Sequence, residues 1–217
     1  MSHKITIQCD FDGTLTNEDI SFKILNRYAT INWREMLKCY TDGKISVGQF
    51  NQEVFRSVKE DRSILLKFIE ENQDVRVGVP EFLAFSQQNN FDLHIVSNGL
   101  ELYIKQILAS LGYNNIPIHA ASSIFTADGM ESIYHDPYGG ETMEDYKVGY
   151  SRYFKEQADE VIYIGNGSSD FAPARLCHYV FSTDVLSRKC QENNVPHTHF
   201  DSLYTVIEGL QKHLRAV

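Results

Sequence analysis

The sequence predicts an α/β protein with a parallel sheet and a helical cap inserted between its first two sheet strands. Three observations carry this. Short apolar runs alternate with segments of helical periodicity, as in successive βαβ units. Three of the four most apolar runs end in a polar, turn-forming cluster, which is where an open parallel sheet gathers its ligand-binding loops. About eighty residues separate the first run from the second, several times what one crossover helix requires.

The first expected strand is Ile5 to Asp10, rich in β-formers. From Asp19 to Val77 the pattern is helical. Phe50, Val54, Phe55 and Val58 share one face, and Ile64, Leu65, Phe68 and Ile69 share another. Asp42-Gly43-Lys44 marks a turn between helical pieces. Residues 19–77 are therefore expected to form the cap domain, with 1–18 and 78–217 forming the core domain. Pro80, followed by Glu81, Phe82 and Leu83, reads as the first turn of a helix returning to the core. The other strands are expected at Phe91 to Ser97, Val161 to Gly165 and Tyr179 to Thr183. From Ile118 to Asp145 the pattern is irregular, with Gly129, Pro137 and Gly139-Gly140. Within it, Ser123 to Thr126 and Ser132 to Tyr134 flank Ala127-Asp128-Gly129, a hairpin with an Asp-Gly turn. Tyr146, Tyr150, Tyr153 and Phe154 lie at helical spacing and read as core. A closing helix from Asp201 to Leu214 places Leu203, Tyr204, Ile207, Leu210 and Leu214 on one face.

Composition narrows the function. With 217 residues, 42% hydrophobic and 23% charged, the chain can build one sizeable core, alone or carrying a smaller inserted domain. A net charge of −9 argues against non-specific nucleic-acid binding, which rests on Lys and Arg neutralising phosphates. No apolar run approaches the length of a membrane span, and Met1-Ser2-His3-Lys4 has none of the apolar character of a signal peptide. Cys9, Cys39, Cys177 and Cys190 form no C-x-x-C pair and read as free thiols in a reducing cytosol. The expectation is a cytoplasmic monomer or homodimer with neither nucleic-acid nor membrane partners. His197 and His199 lack an acidic or cysteine partner at ligand spacing and read as surface histidines. Trp33 reads as a cap residue, packing in the cap core or against substrate.

Chemistry concentrates in Asp10-Phe11-Asp12-Gly13-Thr14. Side chains at i and i+2 point the same way along an extended chain, so Asp10 and Asp12 can reach one pocket. Gly13 permits a tight turn that brings its N–H close to an anion. A carboxylate nucleophile beside a carboxylate that handles protons suits this arrangement. The second strand ends Ser97-Asn98-Gly99, offering a hydroxyl and turn N–H groups to a phosphate oxygen. The third runs into Gly165-Asn166-Gly167-Ser168-Ser169-Asp170.

These segments, in this order, resemble the motifs of the haloacid dehalogenase-like hydrolases, and the resemblance covers nearly the whole chain. It implies a Rossmann-like parallel sheet core with an inserted helical cap, acting as a phosphatase on a small phosphorylated metabolite. By the same resemblance Asp10 attacks phosphorus, and Asp12 protonates the leaving oxygen and then activates water. Ser97, with the N–H groups near Gly13, Asn98 and Gly99, holds the phosphoryl oxygens. Lys147, at the start of an expected helix, bridges nucleophile and phosphate; Lys155, further along that helix, is the competing candidate. Mg²⁺ is implied as cofactor, held by Asp10, the Asp12 carbonyl, Asn166 and waters, with Asp170 behind them or acting through water. Asp12 favours phosphate chemistry over dehalogenation, because halide leaves unprotonated.

Asn166 departs from the family's G-D-x-x-x-D pattern, and an amide brings no negative charge to the metal. Weaker metal affinity or a shifted metal preference is the expected consequence. Asn166 is a working natural variant, an engineered inactivating change, or the mark of a catalytically weak phospholigand-binding or regulatory protein. The first is favoured, because Asp10, Asp12, Ser97, Lys147 and Asp170 would otherwise have no reason to occur together.

Within the family the chain resembles the phosphoserine-phosphatase-like branch. Val96 to Ile104 and Thr183-Asp184-Val185-Leu186 are similar to a subfamily of methionine-salvage phosphatases, and the irregular segment before Lys147 falls where that subfamily has an insertion, here without cysteines. Phosphoserine and other small phosphomonoesters stay open as substrates. The resemblance places specificity residues on the cap and just after the first motif, where Glu18 and Asp19 stand; an acid at a helix N-terminus is the alternative for both. Arg27, Arg34, Lys38, Arg56 and Arg76 are the cap cations that a substrate carboxylate could meet.

Overall fold

The structure, a computed structural model, describes residues 3–143 and 146–215; of the residues singled out above, Met1, Ser2 and Asp145 lie outside them. Strand β1 (Ile5–Cys9) is buried along its whole length, as a central parallel strand covered on both faces must be. Four helices follow: α1 (Ile20–Tyr28), α2 (Trp33–Thr41), α3 (Val47–Arg56) and α4 (Arg62–Asn72). Asp19 caps α1 by accepting a hydrogen bond from the Phe22 N–H at 2.8 Å. Ser46 and Gln49 form a reciprocal capping box on α3. Gly43, at φ +71°, makes the turn after α2.

The chain returns to the sheet through α5 (Val79–Gln88), which carries Pro80 in its first turn, and β2 (Asp92–Leu100). After α6 (Glu101–Ser110) come β3 (Ile118–Thr126), β4 (Gly129–His135) and the short β5 (Glu141–Thr142). β3 and β4 form the expected hairpin, with Thr126 paired to Gly129 across Ala127-Asp128. Next are α7 (Tyr146–Gln157), β6 (Glu160–Gly165), a 3₁₀ turn over Ser168–Asp170 and α8 (Phe171–Ala174). The chain closes with β7 (Tyr179–Ser182), α9 (Asp184–Glu192), β8 (Thr198–His199) and α10 (Leu203–Leu214).

Among the described residues eight strands form one sheet, in the order β5-β4-β3-β2-β1-β6-β7-β8. β1 pairs in parallel with β2, Cys9 opposite Ile95, and with β6, Cys9 opposite Ile164. This register sets Asp10 and Asn166, just past the ends of β1 and β6, beside Ser97 in the C-terminal half of β2. No described helix is long and apolar enough to cross a membrane.

The structure corrects the sequence reading in three places. The stretch from Ile118 to Thr126 is one strand rather than irregular chain with a hairpin arm; its start pairs in parallel with β2, Ile95 opposite Ile118, and its end antiparallel with β4. In α4, Leu65 and Ile69 are buried but Ile64 is 43% exposed. In α10 the buried residues are Leu203, Val206 and Leu210, while Tyr204 turns outward and donates to Glu81 Oε1 at 2.8 Å. The α7 aromatics Tyr146, Tyr150 and Phe154 are buried, and Tyr153 packs beside them.

Candidate active site

β1 delivers Asp10 into a buried position at the carboxyl end of the sheet, and its N–H donates to the Ile164 carbonyl of β6 at 2.9 Å. Lys147, second residue of α7, is equally buried. Its Nζ lies 2.7 Å from Asp10 Oδ1 and 2.6 Å from Asp170 Oδ1. The Gln8 side chain donates to the Lys147 carbonyl at 3.0 Å, pinning the start of α7 to β1. Lys155 lies on the exposed side of the same helix.

Asp170 is fully buried with all its acceptor capacity in use. Oδ1 accepts from Lys147 and from the Tyr163 hydroxyl at 2.7 Å; Oδ2 accepts from the N–H groups of Asn166 at 3.0 Å and Gly167 at 2.7 Å. Although burial opposes it, Lys147 and these donors hold the Asp170 carboxyl below the usual range. Burial and the charge of Asp170 push the Asp10 carboxyl up to about 8, against the pull of Lys147. Two buried carboxylates thus share one ammonium, Asp170 keeps its charge, and the ionised form of Asp10 is the one left under-compensated.

Asp12 is held by both oxygens. Oδ1 accepts from the Ile20 N–H at 2.8 Å, and Oδ2 accepts from the Tyr103 hydroxyl. Burial and the nearby Asp19 push its carboxyl well above the usual range. Asp19 itself is pushed up to about 6 by burial. Ser97 Oγ accepts from the Gly99 N–H at 3.0 Å, which leaves its own proton to donate. The Asn98 carbonyl accepts from Asn51 Nδ2 at 2.6 Å and from the Tyr134 hydroxyl. Thr14 Oγ1 donates to Asn166 Oδ1 at 3.0 Å.

These groups meet at a cavity of about 200 Å³. Asp10, Asp12, Ser97, Asn98, Gly99, Lys147 and Asn166 line it; Gly13 and Asp170 do not. Gly13 sits behind the wall, where its N–H donates to Thr16 Oγ1 at 3.2 Å. It is glycine for two local reasons: φ is +72°, and a Cβ would meet Asn166 Nδ2 at 2.2 Å. Asp170 lies beneath Lys147, committed to it and to the backbone of the Asn166 loop.

Of the two acids after the first motif, Asp19 lines the cavity while capping α1. Glu18 points away and pairs with Lys23 at 2.6 Å. None of the five cap cations lines the cavity. Arg76 donates to the Gly13 carbonyl at 2.6 Å and the Thr14 carbonyl at 2.9 Å, bracing the first-motif loop. Arg34 lies over the Trp33 ring, Arg27 over Tyr28, Lys38 pairs with Asp42, and Arg56 faces Glu131. Trp33 stacks on Phe22 with ring centroids 4.9 Å apart. His199, expected without an acidic partner, lies 3.1 Å from Asp201; His197 Nδ1 contacts the Val195 carbonyl.

The sequence did not single out Ser21, Phe22, Leu37, Tyr40, Val47 and Asn51 of the cavity wall, nor Ser168 and Ser169. Phe50 it placed on an apolar helix face. The first six belong to amphipathic helices, whose pattern marks which face is covered but not whether a core or a ligand covers it. Ser168 and Ser169 stood inside the quoted motif segment, at positions to which the motif gives no chemistry.

The haloacid dehalogenase-like hydrolase family model matches residues 7–175. Among curated proteins, the chain is 27% identical to the 2-hydroxy-3-keto-5-methylthiopentenyl-1-phosphate phosphatase of Brevibacillus brevis (strain 47), over 98% of this chain and 97% of that one. It is 26% identical to the enzyme of the same name from Bacillus mycoides (strain KBAB4), over 98% of both. Among solved structures it is similar to a phospho-aspartyl intermediate analogue of phosphoserine phosphatase, with a TM-score of 0.71 at 17% identity, covering 96% of this chain and 99% of that one. A substrate-bound phosphoserine phosphatase complex matches with a TM-score of 0.71 at 15% identity, covering 96% and 98%. Likeness at these identities is a likeness of fold.

Proposed function

Because this chain belongs to the haloacid dehalogenase-like hydrolases and is a phosphatase, we propose that it cleaves a small phosphomonoester through an aspartyl-phosphate on Asp10. The observation that carries the reading is the Asp10–Lys147 pair at 2.7 Å on the wall of a cavity that Asp12 and Ser97 also line. An Asp10 oxygen bonds to phosphorus as the ester P–O bond breaks, and Asp12 gives its proton to the departing oxygen. Asp12 then takes a proton from water as that water attacks the acyl phosphate, releasing phosphate and freeing Asp10. Lys147 and the Ser97 hydroxyl are the donors best placed to hold the phosphoryl oxygens; phosphoryl transfer needs such positioning and charge stabilisation more than covalent machinery.

The donor set fits Mg²⁺. Lys147 alone does not compensate an ionised Asp10 beside Asp170, which calls for a further cation, and the Asp10 carboxylate, the Asp12 carbonyl and the Asn166 amide are hard oxygen ligands. Bound there, the ion would supply charge neutralisation for nucleophile and phosphate. Among the described residues no group of three or more His, Cys, Asp or Glu side chains could hold a metal; the proposed set includes a backbone carbonyl and an amide. Asn166 adds no charge, so Asn166→Asp is expected to tighten Mg²⁺ binding about tenfold or more by calorimetry. It also keeps a second reading in play, a catalytically weak phospholigand-binding protein; turnover appearing only in Asn166→Asp would favour that reading.

Residues 19–77 act in this proposal as a cap over the site. Their contribution to the wall is largely apolar, from Phe22, Leu37, Tyr40, Val47 and Phe50, and among the described residues Lys147 is the one cation of the lining. A substrate carboxylate placed against this wall would be desolvated without a partner. An uncharged leaving group with an apolar end suits it, the kind named for the 2-hydroxy-3-keto-5-methylthiopentenyl-1-phosphate phosphatases. Four free cysteines accord with work in a reducing cytoplasm. The test is phosphate release, with Mg²⁺, from that ester, phosphoserine and p-nitrophenyl phosphate. The methylthio ester is expected to exceed phosphoserine at least tenfold in kcat/KM, with Asp10→Asn inactive on all three. Preference for phosphoserine would overturn the substrate class, and turnover by Asp10→Asn the nucleophile.

A further inference from the structure

We infer that Tyr103 is a positioning residue that aims the Asp12 carboxyl at the leaving-group oxygen. The inference rests on the reading of Asp12 as the acid. Tyr103 is the third residue of α6, fully buried and absent from the cavity lining, so it acts through another group. Its hydroxyl donates to Asp12 Oδ2 and lies 2.9 Å from Ser21 Oγ. The other Asp12 oxygen accepts from the Ile20 N–H at 2.8 Å. An aspartate side chain has two free torsions, and hydrogen bonds to both oxygens fix both. A misplacement of about 1 Å in a reacting group costs on the order of a hundredfold in rate.

The surroundings are shaped to admit the phenol. Gly99 faces it so closely that a Cβ would meet the Tyr103 oxygen at 1.6 Å and Asp12 Oδ2 at 2.6 Å. The absent side chain at Gly99 thus lets the second motif, the acid of the first motif and α6 converge on one point. Ser21 extends the chain of contacts to α1, where it lines the cavity. The acid is therefore aligned by groups from two elements, the Tyr103 hydroxyl of α6 and the Ile20 N–H of α1.

A buried tyrosine hydroxyl needs a partner for structural reasons alone, so the test must separate alignment from packing. Proton donation matters for an alkoxide leaving group and not for p-nitrophenolate. Single-turnover release of the leaving group would be measured with butyl phosphate and with p-nitrophenyl phosphate in wild type, Tyr103→Phe, Ser21→Ala and Asp12→Asn. Tyr103→Phe is expected to slow the alkyl ester roughly 10- to 100-fold and to keep the aryl ester within about threefold, with KM for both little changed. Ser21→Ala, which loosens the phenol without removing it, is expected to give a smaller loss of about threefold on the alkyl ester alone. Asp12→Asn supplies the control, since it must show the same selective loss. If Asp12→Asn is selective and Tyr103→Phe slows both esters equally, or neither, Tyr103 is a packing residue and the inference fails. If Asp12→Asn itself shows no selectivity, the assignment of Asp12 as the acid fails first.

Discussion

Lys147 is the sole ammonium between two buried carboxylates, at 2.7 Å from Asp10 and 2.6 Å from Asp170. Removing one partner of a buried ion pair leaves an uncompensated charge, which costs more than the pair itself contributes. Lys147→Met is therefore expected to lower stability by about 3–5 kcal/mol, seen in urea unfolding at pH 7, and to abolish turnover. The double variant Lys147→Met/Asp170→Asn should recover part of the stability and none of the activity. At this scale much of the site was legible in the sequence. Asp10, Asp12 and Asn166 follow the ends of β1 and β6, and Ser97, Asn98 and Gly99 lie in the last residues of β2, which runs on to Leu100 past the end expected at Ser97; parallel sheets gather function there, and Lys147 followed from the family resemblance. Gly13 and Asp170 sit behind the cavity wall because hydrogen-bond geometry, invisible in a string of letters, ties one to Thr16 and the other to Lys147.

Between elements, β2, β3 and α7 are joined by a histidine pair. His94 Nδ1 lies 2.9 Å from His119 Nε2, and Asp92 is 3.1 Å from His94 Nε2. Tyr150 and Phe154 of α7 pack against the rings. Burial, and then the charge of His94, lowers His119 to about 4, whereas an unfolded histidine titrates near 6.5. The folded state thus binds fewer protons below pH 6.5. The stability that His119 contributes is fully present above that pH and is lost as pH falls towards about 4. His119→Gln should remove this slope. The urea-unfolding difference between variant and wild type is expected to change by about 1–2 kcal/mol between pH 7 and pH 4.5, after allowance for partial exposure. A difference that does not change with pH would refute the assignment. The first half of β3 escaped the sequence reading, which found its end as a hairpin arm from Ser123, because His119, Ala120 and Ser122 interrupt its apolar alternation. Strands as short as β5 and β8, two residues each, have no period to detect.

Across the whole molecule, α3 and the β3–β4 hairpin meet over the second-motif segment of β2. Asn51 and Tyr134 both bond to the Asn98 carbonyl, Lys59 Nζ donates to the Asp128 carbonyl, and the Gly48 N–H reaches the Met143 carbonyl at 3.4 Å. The hairpin thus props the helix that supplies Val47, Phe50 and Asn51 to the cavity wall. If closure of residues 19–77 over bound substrate governs affinity, Tyr134→Phe should raise KM about threefold to tenfold with kcat within about twofold. Amide exchange in α3 should quicken; unchanged exchange and KM would show that the hairpin gives α3 no support.

The sequence by itself determined the α/β class, the helical stretch between the first two sheet strands, the order of the motifs and the placing of Asp10 and Asp12 at one strand end. Each is encoded locally, in side-chain period, turn residues and spacing along one strand. Only the tertiary structure decided that the cap cations turn away from the cavity and that Phe22, Leu37 and Tyr40 face it. It alone decided that Tyr103, far from Asp12 in sequence, grips the acid through the gap left by Gly99. Those outcomes depend on which helix faces cross which strand ends, and helical period states that a face is covered without stating by what.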